Sequence, residues 1–249
     1  MENQKCTPAI EVEDLHKSFG AQAVLHGVDL KIECGETLTV LGPSGTGKSV
    51  LLKLIIGLQK PDAGSIKVDG KEITKLPLDK LNQVRKQIGF LFQSAALYDS
   101  LSVEENVAFP LRQHASLSES ERRERIRELL TAVGIEEGLD KLPSQISGGM
   151  KKRVGLARAL ALTPKILLYD EPTAGLDPVT ASKINELILR LQRERKISSI
   201  VVTHDVHSAR TVSDRLAFLH DGSILAEGSI EELERSEDEL ISQFFQHSY

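Results

Sequence analysis

The sequence predicts an α/β protein in which a long helical segment interrupts an alternation of strands and helices. Three observations lead to this class. Short apolar runs end in glycine-rich or acidic turns, a charged amphipathic stretch occupies the middle of the chain, and short apolar runs return after it. The chain has 249 residues, of which 40% are hydrophobic and 27% charged. That length and composition fit one large globular α/β domain.

Hydrophobic periodicity places the elements of the first third of the chain. Apolar residues that alternate or run continuously predict four strands, at Ile10–Phe19, 24–32, Thr37–Leu41 and 65–68. The third strand leads directly into a glycine-rich turn, and a helix is predicted over 48–56 with Gly57 as its C-cap. An Asp-Gly pair, typical of a turn, follows the fourth strand.

The middle of the chain has a different pattern. Residues 116–133 are charged and amphipathic, and Ser118 and Glu121 have the spacing of a capping box. We therefore predict a helical insertion over about residues 94–160. After it, the pattern predicts strands at 166–169 and 200–203, a helix over 179–195, a hairpin formed by 216–219 and 224–226, and one or two helices in the tail, 229–249.

Composition excludes some classes of function and compartment. The formal net charge of -5 and the pI of about 5.9 argue against a broad nucleic-acid-binding surface. Cys6 and Cys34 lie outside any Cys-x-x-Cys pattern, and we expect both to be reduced thiols in a cytosol-like protein. Residues 1–9 are polar rather than signal-like, and no uncharged apolar run reaches the length of about 18 residues that spans a bilayer. We expect any membrane role to act through partner subunits.

A glycine-rich loop follows the third strand. It fits the pattern GxxxxGK[ST] at every fixed position, with the residues Gly42, Pro43, Ser44, Gly45, Thr46, Gly47, Lys48 and Ser49. Glycines let backbone N–H groups approach an anion closely, and the N-terminus of the following helix adds partial positive charge. Lys48 is placed to reach the β- and γ-phosphates, and the Ser49 hydroxyl to help hold Mg²⁺. The loop alone predicts a nucleoside triphosphate ligand without choosing among a kinase, a GTPase and a transport motor.

Polar side chains follow three further strands. Asp170 and Glu171 end an apolar run at the sheet edge where parallel sheets bind their ligands. We expect Asp170 to hold Mg²⁺, directly or through water, and Glu171 to act as the general base for the attacking water. His204 is placed to sense the γ-phosphate from a neighbouring strand end. Gln93 follows the apolar run 88–92 and is similarly placed to contact Mg²⁺ and the water.

A second glycine-rich segment carries a family resemblance. Residues 146–153 read Ile-Ser-Gly-Gly-Met-Lys-Lys-Arg, and Ala-Arg-Ala-Leu follows at 157–160. This stretch strongly resembles the signature of ATP-binding-cassette (ABC) ATPases, and it falls inside the predicted helical insertion, where that family carries it. A serine and two glycines that open a helix make a second anion site, because the N–H groups are free and no side chain blocks them.

The resemblance covers about residues 10–228 and implies a fold and an assembly. The implied fold is a P-loop NTPase of ABC type, with a mixed β-sheet core, an N-terminal antiparallel β subdomain and an inserted α-helical subdomain. The core would span about 10–93 and 161–228, the helical subdomain about 94–160, and a C-terminal tail 229–249. The implied assembly is a head-to-tail dimer with two-fold symmetry, in which ATP lies between the phosphate loop of one copy and the signature of the other.

The resemblance also implies roles for individual residues at matching motif positions. Phe19 matches the aromatic position that stacks on adenine, Gln93 the Q-loop, and His204 the switch histidine. Asp177 matches the D-loop position that faces the partner copy. The other residues that the resemblance places at the nucleotide are Val50, Ser147, Gly148, Gly149 and Met150. Val50, Met150 and Ile146 depart from the common Ser/Thr, Gln and Leu of the family, but the other catalytic positions are intact, so we expect an active ATPase.

Met150 also indicates which group of ABC ATPases the chain resembles. A signature of the form SGGM followed by basic residues resembles the ATPases of the Mla and mammalian-cell-entry (MCE) lipid transport systems, and segments 46–53, 92–98 and 106–112 are similar to the same group. The resemblance implies lipid or phospholipid transport with ATP and Mg²⁺ as cofactors. It implies a second copy of the chain, a membrane permease and an MCE-domain lipid-binding protein as partners, and a location at the cytoplasmic face of the inner membrane. No nucleic acid partner is expected.

Two alternatives for the function and two for the tail stay open. An ATPase subunit carries no substrate pocket of its own, so a transporter of amino acids, peptides or ions fits the same motifs. A soluble ABC ATPase of DNA repair or translation is the other alternative, although such proteins usually carry two cassettes, long coiled coils or basic surfaces. The tail, 229–249, either packs on its own domain or docks on the second copy.

Overall fold

The computed structural model describes residues 6–246, and within that range the chain forms two β-sheets and nine α-helices. The strands are β1 (Ile10–Phe19), β2 (Gln22–Ile32), β3 (Thr37–Leu41), β4 (Ala63–Val68), β5 (Lys71–Glu72), β6 (Ile88–Leu91), β7 (Ile166–Asp170), β8 (Ser198–Thr203), β9 (Arg215–His220) and β10 (Ser223–Gly228). The helices are α1 (Lys48–Ile55), α2 (Leu78–Arg85), α3 (Val103–His114), α4 (Glu119–Ala132), α5 (Gly148–Ala159), α6 (Pro178–Arg195), α7 (Val206–Val212), α8 (Ile230–Glu234) and α9 (Glu239–Gln246). None of these helices is long and apolar enough to cross a membrane.

The smaller sheet is antiparallel and lies at the N-terminal side of the sequence. Its strand order is β2-β1-β4-β5, and Ile10 of β1 pairs with Ile32 of β2 on one side and with Val68 of β4 on the other. These three apolar side chains are almost fully buried. The period-two alternation in the sequence therefore marks the face of this sheet that joins the core.

The larger sheet is mixed, with the order β10-β9-β3-β8-β7-β6. Its strands from β9 to β6 are parallel, and only β10 at the edge pairs antiparallel, with β9. Every residue of β3, β7 and β8 is buried, which explains why these strands read as continuous apolar runs. Because parallel strands end at the same edge, the residues that follow β3, β6, β7 and β8 are brought together there.

The stretch predicted to be helical holds α3, α4 and α5. Ser102 and Ser118 begin the first two of these helices with complete capping boxes, each to a glutamate three residues on. Apolar side chains of the three helices share a second buried cluster with β7 and α6, which fixes α5 against the larger sheet. The exact division of the chain into subdomains stays a prediction.

The described part of the tail packs on its own chain. Leu233, Ile241 and Phe245 are buried against a cluster that includes Leu41 and Phe218 of the larger sheet. Of the two alternatives for the tail, the structure therefore shows intrachain packing up to residue 246. The last three residues of the predicted tail lie outside the described range, as do residues 1–5 of the polar N-terminal segment.

The expectation of two reduced thiols is wrong. Cys6 and Cys34 form a disulfide, with 6.3 Å between their Cα atoms. The segment before β1 runs beside the end of β2, where the Ala9 N–H donates to the Ile32 carbonyl at 2.8 Å, and this pairing carries Cys6 to the turn that holds Cys34. Compartment and sequence spacing cannot reveal a contact that depends on strand pairing.

Candidate nucleotide-binding and catalytic site

The phosphate-binding loop connects β3 to α1, as the sequence predicts. Gly47 is the N-cap of α1 and has φ +100°, in the region that glycine favours. A Cβ atom at Gly47 would lie 2.8 Å from the Cδ2 atom of Leu25, and one at Gly42 would lie 2.1 Å from the Leu219 carbonyl oxygen. The loop can follow this path only with glycine at both positions, which leaves its backbone N–H groups unobstructed.

A cavity of about 380 Å³ opens over this loop. It brings together residues from five separated stretches of the chain: Phe19, Val24, Ser44, Gly45, Gly47, Lys48, Ser49, Val50, Gln93, Glu171 and His204. Phe19 is 45% exposed, so its ring is available to an aromatic ligand at the mouth of the cavity. Gly42, Pro43 and Thr46 belong to the loop but do not line the cavity wall.

Lys48 lies at the floor of the cavity with a buried ammonium group. Its Nζ donates to the carbonyl oxygens of Gly42 and Pro43 at 2.8 Å each and lies 3.9 Å from Oε1 of Glu171. Burial lowers the pKa of Lys48, while the charges of Glu171 and Asp170 act in the opposite direction. The loop carbonyls thus hold a cation inside the cavity, where an anionic ligand would compensate its charge.

Ser49 and Asp170 are directly hydrogen-bonded across the site. The Ser49 hydroxyl donates to Oδ1 of Asp170 at 2.6 Å. Burial raises the pKa of Asp170, and the hydrogen bond from Ser49 lowers it in part. An oxygen pair of this kind suits Mg²⁺, which prefers hard oxygen ligands. Among the described residues, no three His, Cys, Asp or Glu side chains cluster as a metal cage.

Glu171 has an unusual backbone conformation that aims its side chain. Its φ is +46°, in the left-handed region that few residues other than glycine adopt. Oε1 lies 2.9 Å from Nδ1 of His204, and Oε2 accepts from the Thr203 hydroxyl at 3.2 Å. The carboxylate is almost fully buried, whereas the His204 side chain is half exposed at the cavity wall. Sequence reasoning found Glu171 and His204 but did not anticipate Thr203.

The signature residues lie outside this cavity. Ser147 is the N-cap of α5, where its hydroxyl accepts from the Met150 N–H at 3.2 Å, and Ser147 and Gly148 are both exposed. A Cβ atom at Gly149 would lie 2.5 Å from Cγ2 of Thr180. Met150 is half-buried against the helical cluster. The signature therefore presents backbone and hydroxyl groups away from the nucleotide cavity of its own chain.

Asp177 also lies outside the cavity. It is the N-cap of α6, and its carboxylate accepts from the Thr180 N–H at 3.0 Å. Hydrogen bonds from the side chain and from the N–H of Thr180 lower the pKa of Asp177. Asp177 and the signature residue Gly149 thus both lie against Thr180, outside the nucleotide cavity of their own chain.

The fold and the site together define a P-loop nucleotide hydrolase, because a cavity lies over a phosphate loop and a buried carboxylate pair lies at the carboxyl edge of a parallel sheet. The family model described as ABC transporter matches residues 25–174. A dimeric ABC cassette, MJ0796, whose structure holds ADP and Pi in a post-hydrolysis state, matches with a TM-score of 0.82 and 37% identity, over 89% of this chain and 98% of that one. The chain therefore belongs to the ABC transporter family and is one of its ATP-hydrolysing, nucleotide-binding subunits.

Curated relatives are similar over nearly the whole chain. The probable ribonucleotide transport ATP-binding protein mkl of Mycobacterium leprae is 44% identical over 95% of this chain and 68% of the relative. The intermembrane phospholipid transport system ATP-binding protein MlaF of Haemophilus influenzae is 40% identical over 94% of this chain and 89% of the relative. The methionine import ATP-binding protein MetN of Brucella abortus is also 40% identical, over 90% of this chain and 60% of the relative. The percentage of sequence identity alone therefore does not determine which substrate is transported.

Proposed function

We propose that the chain powers a lipid transporter by forming an ATP-dependent head-to-tail dimer on a membrane permease. The proposed dimer rests on one observation. The signature residues Ser147 and Gly148 are exposed and lie outside the nucleotide cavity of their own chain. A two-fold axis that places them over the cavity of a second copy completes two equal sites at once.

The residues of the cavity divide the chemistry of hydrolysis among them. Lys48 and the N–H groups of the loop neutralise phosphate charge, and Phe19 stacks on the adenine ring. Glu171 takes a proton from the attacking water while the new bond forms to the γ-phosphorus, the bond to the β–γ bridging oxygen breaks, and ADP and Pi result. His204, at 2.9 Å from the carboxylate, orients it and meets the γ-phosphate.

The metal role is assigned to Ser49 and Asp170, with Gln93 at the cavity wall as an outer contact. A hydroxyl and one carboxylate leave room for phosphate oxygens and water, which is how proteins usually hold Mg²⁺ beside a nucleotide. The ion would supply charge neutralisation at the β- and γ-phosphates.

A groove next to Gln93 offers a surface for the permease. It has a volume of about 430 Å³, and its lining includes Phe90, Phe92, Tyr98, Phe109 and Arg158. Tyr98 is 46% exposed, and its ring lies 4.6 Å from that of Phe109. An aromatic groove of this size suits a short helix with apolar side chains. The subunit would then be a peripheral protein at the cytoplasmic face of the membrane.

The lipid assignment is supported by the signature form at Met150 and by the phospholipid transport relative MlaF. It implies an MCE-domain lipid-binding protein in the same complex. The alternative is an importer of a small solute, which the equal identity to MetN supports.

The test is to purify the tagged full chain with its native membrane partners, identify bound proteins and lipids by mass spectrometry, and measure ATP hydrolysis with and without Mg²⁺. The matched variant is Glu171→Gln, which keeps the shape of the side chain but cannot accept the proton. We expect Mg²⁺-dependent hydrolysis that falls at least about 100-fold in the variant, with an MCE-domain protein and phospholipid present.

Different outcomes contradict different parts of the proposal. A permease without an MCE-domain protein or lipid would retain the ATPase but refute the lipid assignment. Undiminished hydrolysis by Glu171→Gln would refute the proposed catalytic base.

A further inference from the structure

A lysine of the signature helix reaches the catalytic site of its own chain. Lys152 lies on α5 and is only 5% exposed. Its Nζ donates to the carbonyl oxygen of Gln93 at 2.6 Å and to that of Glu171 at 2.9 Å. One buried ammonium group thus joins the backbones of two site residues that come from different strand ends.

Glycines allow α5 to come this close. A Cβ atom at Gly155 would lie 2.9 Å from Cδ1 of Leu91, and one at Gly89 would lie 2.5 Å from the Ala159 carbonyl oxygen. The backbone of α5 therefore packs directly on β6. This close packing fixes the position of α5 relative to the segment after β6, which carries Gln93.

A second cation on the same helix repeats the arrangement. The guanidinium group of Arg158 donates to the carbonyl oxygens of Ala95 and Ala96 at 2.8 Å each. Both alanines have positive φ, as does Glu171, and this conformation is unfavourable for residues with a Cβ. Each of these three strained residues thus has its carbonyl bound by a cation of α5, which stabilises conformations that the chain would otherwise avoid.

We propose that Lys152 is a positioning residue for hydrolysis: by binding the carbonyls of Gln93 and Glu171, it fixes the backbone turn that aims the Glu171 carboxylate at the reacting water. The same helix begins with the signature serine, so the placement of α5 on a second copy's nucleotide and the alignment of Glu171 in its own chain depend on one rigid element. Loss of the ammonium group would free Glu171 to leave the left-handed conformation and turn its carboxylate away.

This inference rests on the proposed role of Glu171 as general base, and the experiment separates the two. The full chain, purified with its membrane partners, is compared with Lys152→Met, which removes the charge, and Lys152→Arg, which keeps a donor cation. Arg153→Met is the matched control, because Arg153 is the next cation on α5 but donates to the Val133 carbonyl at 2.9 Å, within the helical part.

For Lys152→Met we expect kcat to fall about 10- to 100-fold, while KM and the Kd of a fluorescent ATP analogue change less than about threefold. Lys152→Arg should recover most of kcat, and Arg153→Met should leave it near wild type. In the Glu171→Gln background, Lys152→Met should cause no further loss, because a residue that acts through Glu171 has nothing left to position.

The inference is overturned if Lys152→Met keeps a wild-type kcat, or if Lys152→Met and Arg153→Met lower kcat by the same factor. It is also overturned if the loss remains undiminished in the Glu171→Gln background. If Lys152→Met does not fold, as judged by thermal unfolding, Lys152→Gln is measured instead, because its shorter, uncharged side chain removes the ammonium group but remains polar, and the same fall in kcat is expected. A loss of activity in Glu171→Gln together with a normal kcat in both Lys152 variants refutes only the positioning role, whereas an active Glu171→Gln refutes the proposed function itself.

Discussion

The nucleotide cavity and the signature surface, formed by Ser147 and the two glycines after it, differ in the chemical groups that they present. The site around the cavity holds the buried charged side chains of Lys48, Asp170 and Glu171. Lys48 donates to the loop carbonyl of Gly42 and lies 3.9 Å from Glu171, and Asp170 accepts from Ser49. The signature offers an exposed hydroxyl at Ser147 and the backbone of two glycines. In the proposed function, the first region performs the chemistry and the second recognises a phosphate.

The difference explains why the two regions tolerate different kinds of change. Buried charges are costly unless each is paired, so the cavity depends on a complete set of partners within one chain. Ser147 and Gly148 carry no charge that needs a partner, and in the proposed dimer they gain binding energy only when a second copy brings a nucleotide to them. Disrupting the cavity should therefore harm a single chain, and disrupting the signature should harm only the pair.

The largest expected effect comes from Ser147→Arg. The large side chain would block the signature surface without touching the cavity, so ATP hydrolysis should fall at least about 100-fold while the isolated chain still binds ATP with a Kd near wild type. Steady-state hydrolysis and binding of a fluorescent ATP analogue measure the two effects.

A mixed dimer makes this test specific. A Ser147→Arg chain paired with a Lys48→Ala chain keeps one intact composite site, formed by the loop of the first chain and the signature of the second. About half of the wild-type hydrolysis, or less if the two sites are coupled, should return. A mixed dimer as inactive as its parents would contradict the head-to-tail arrangement or show that both sites are required together.

An intermediate effect is expected from the two signature glycines, which differ in what surrounds them. A Cβ at Gly149 would lie 2.5 Å from Thr180, whereas a Cβ at Gly148 would lie 3.3 Å from Leu176. Gly149→Ala should lower the free energy of unfolding by about 1–3 kcal/mol through overpacking, and Gly148→Ala by much less. Denaturant titration compares them, and equal losses would show that the Gly149 contact is not limiting.

The smallest effect on activity is expected from the disulfide between Cys6 and Cys34. It joins residues 28 positions apart, and a loop of that length contributes about 3.6 kcal/mol of stability in the chain-entropy model. Reduction should lower the unfolding midpoint and leave ATP hydrolysis unchanged, because neither cysteine lines the nucleotide cavity.

The matched control is Cys6→Ser/Cys34→Ser, whose midpoint should not respond to a reductant. If reduction instead changed the Kd for ATP, the N-terminal segment would be part of the site.

Local pattern was enough to predict much of the fold and the site. The strand Thr37–Leu41, the loop after it and the capping box at Ser118 all have the predicted form. These features depend on neighbours within a few residues, which is the range over which periodicity and capping act. The convergence of Ser49 with Asp170 follows from strand ends of a parallel sheet meeting at one edge.

The parts that were missed depend on contacts between distant segments. Lys152 reads as one member of a basic run, although it lies three residues after the buried Gly149 and four before the buried Leu156, on the inward face of α5. That spacing was a usable signal, because a lysine on an apolar stripe needs a partner. The left-handed conformation of Glu171 and the pairing of Cys6 with Cys34 had no local signal.

Arg158 contacts both the loop after Gln93 and the aromatic groove, so it can couple binding at the groove to binding at the nucleotide cavity. Its guanidinium group binds the loop carbonyls of Ala95 and Ala96 and also lies 5.9 Å from the ring of Tyr98, whose face forms part of the aromatic groove. A ligand that shifts Tyr98 therefore acts on the segment that carries Gln93. By thermodynamic reciprocity, if occupation of the nucleotide cavity changes the affinity of the groove tenfold, occupation of the groove must change the affinity for the nucleotide tenfold as well.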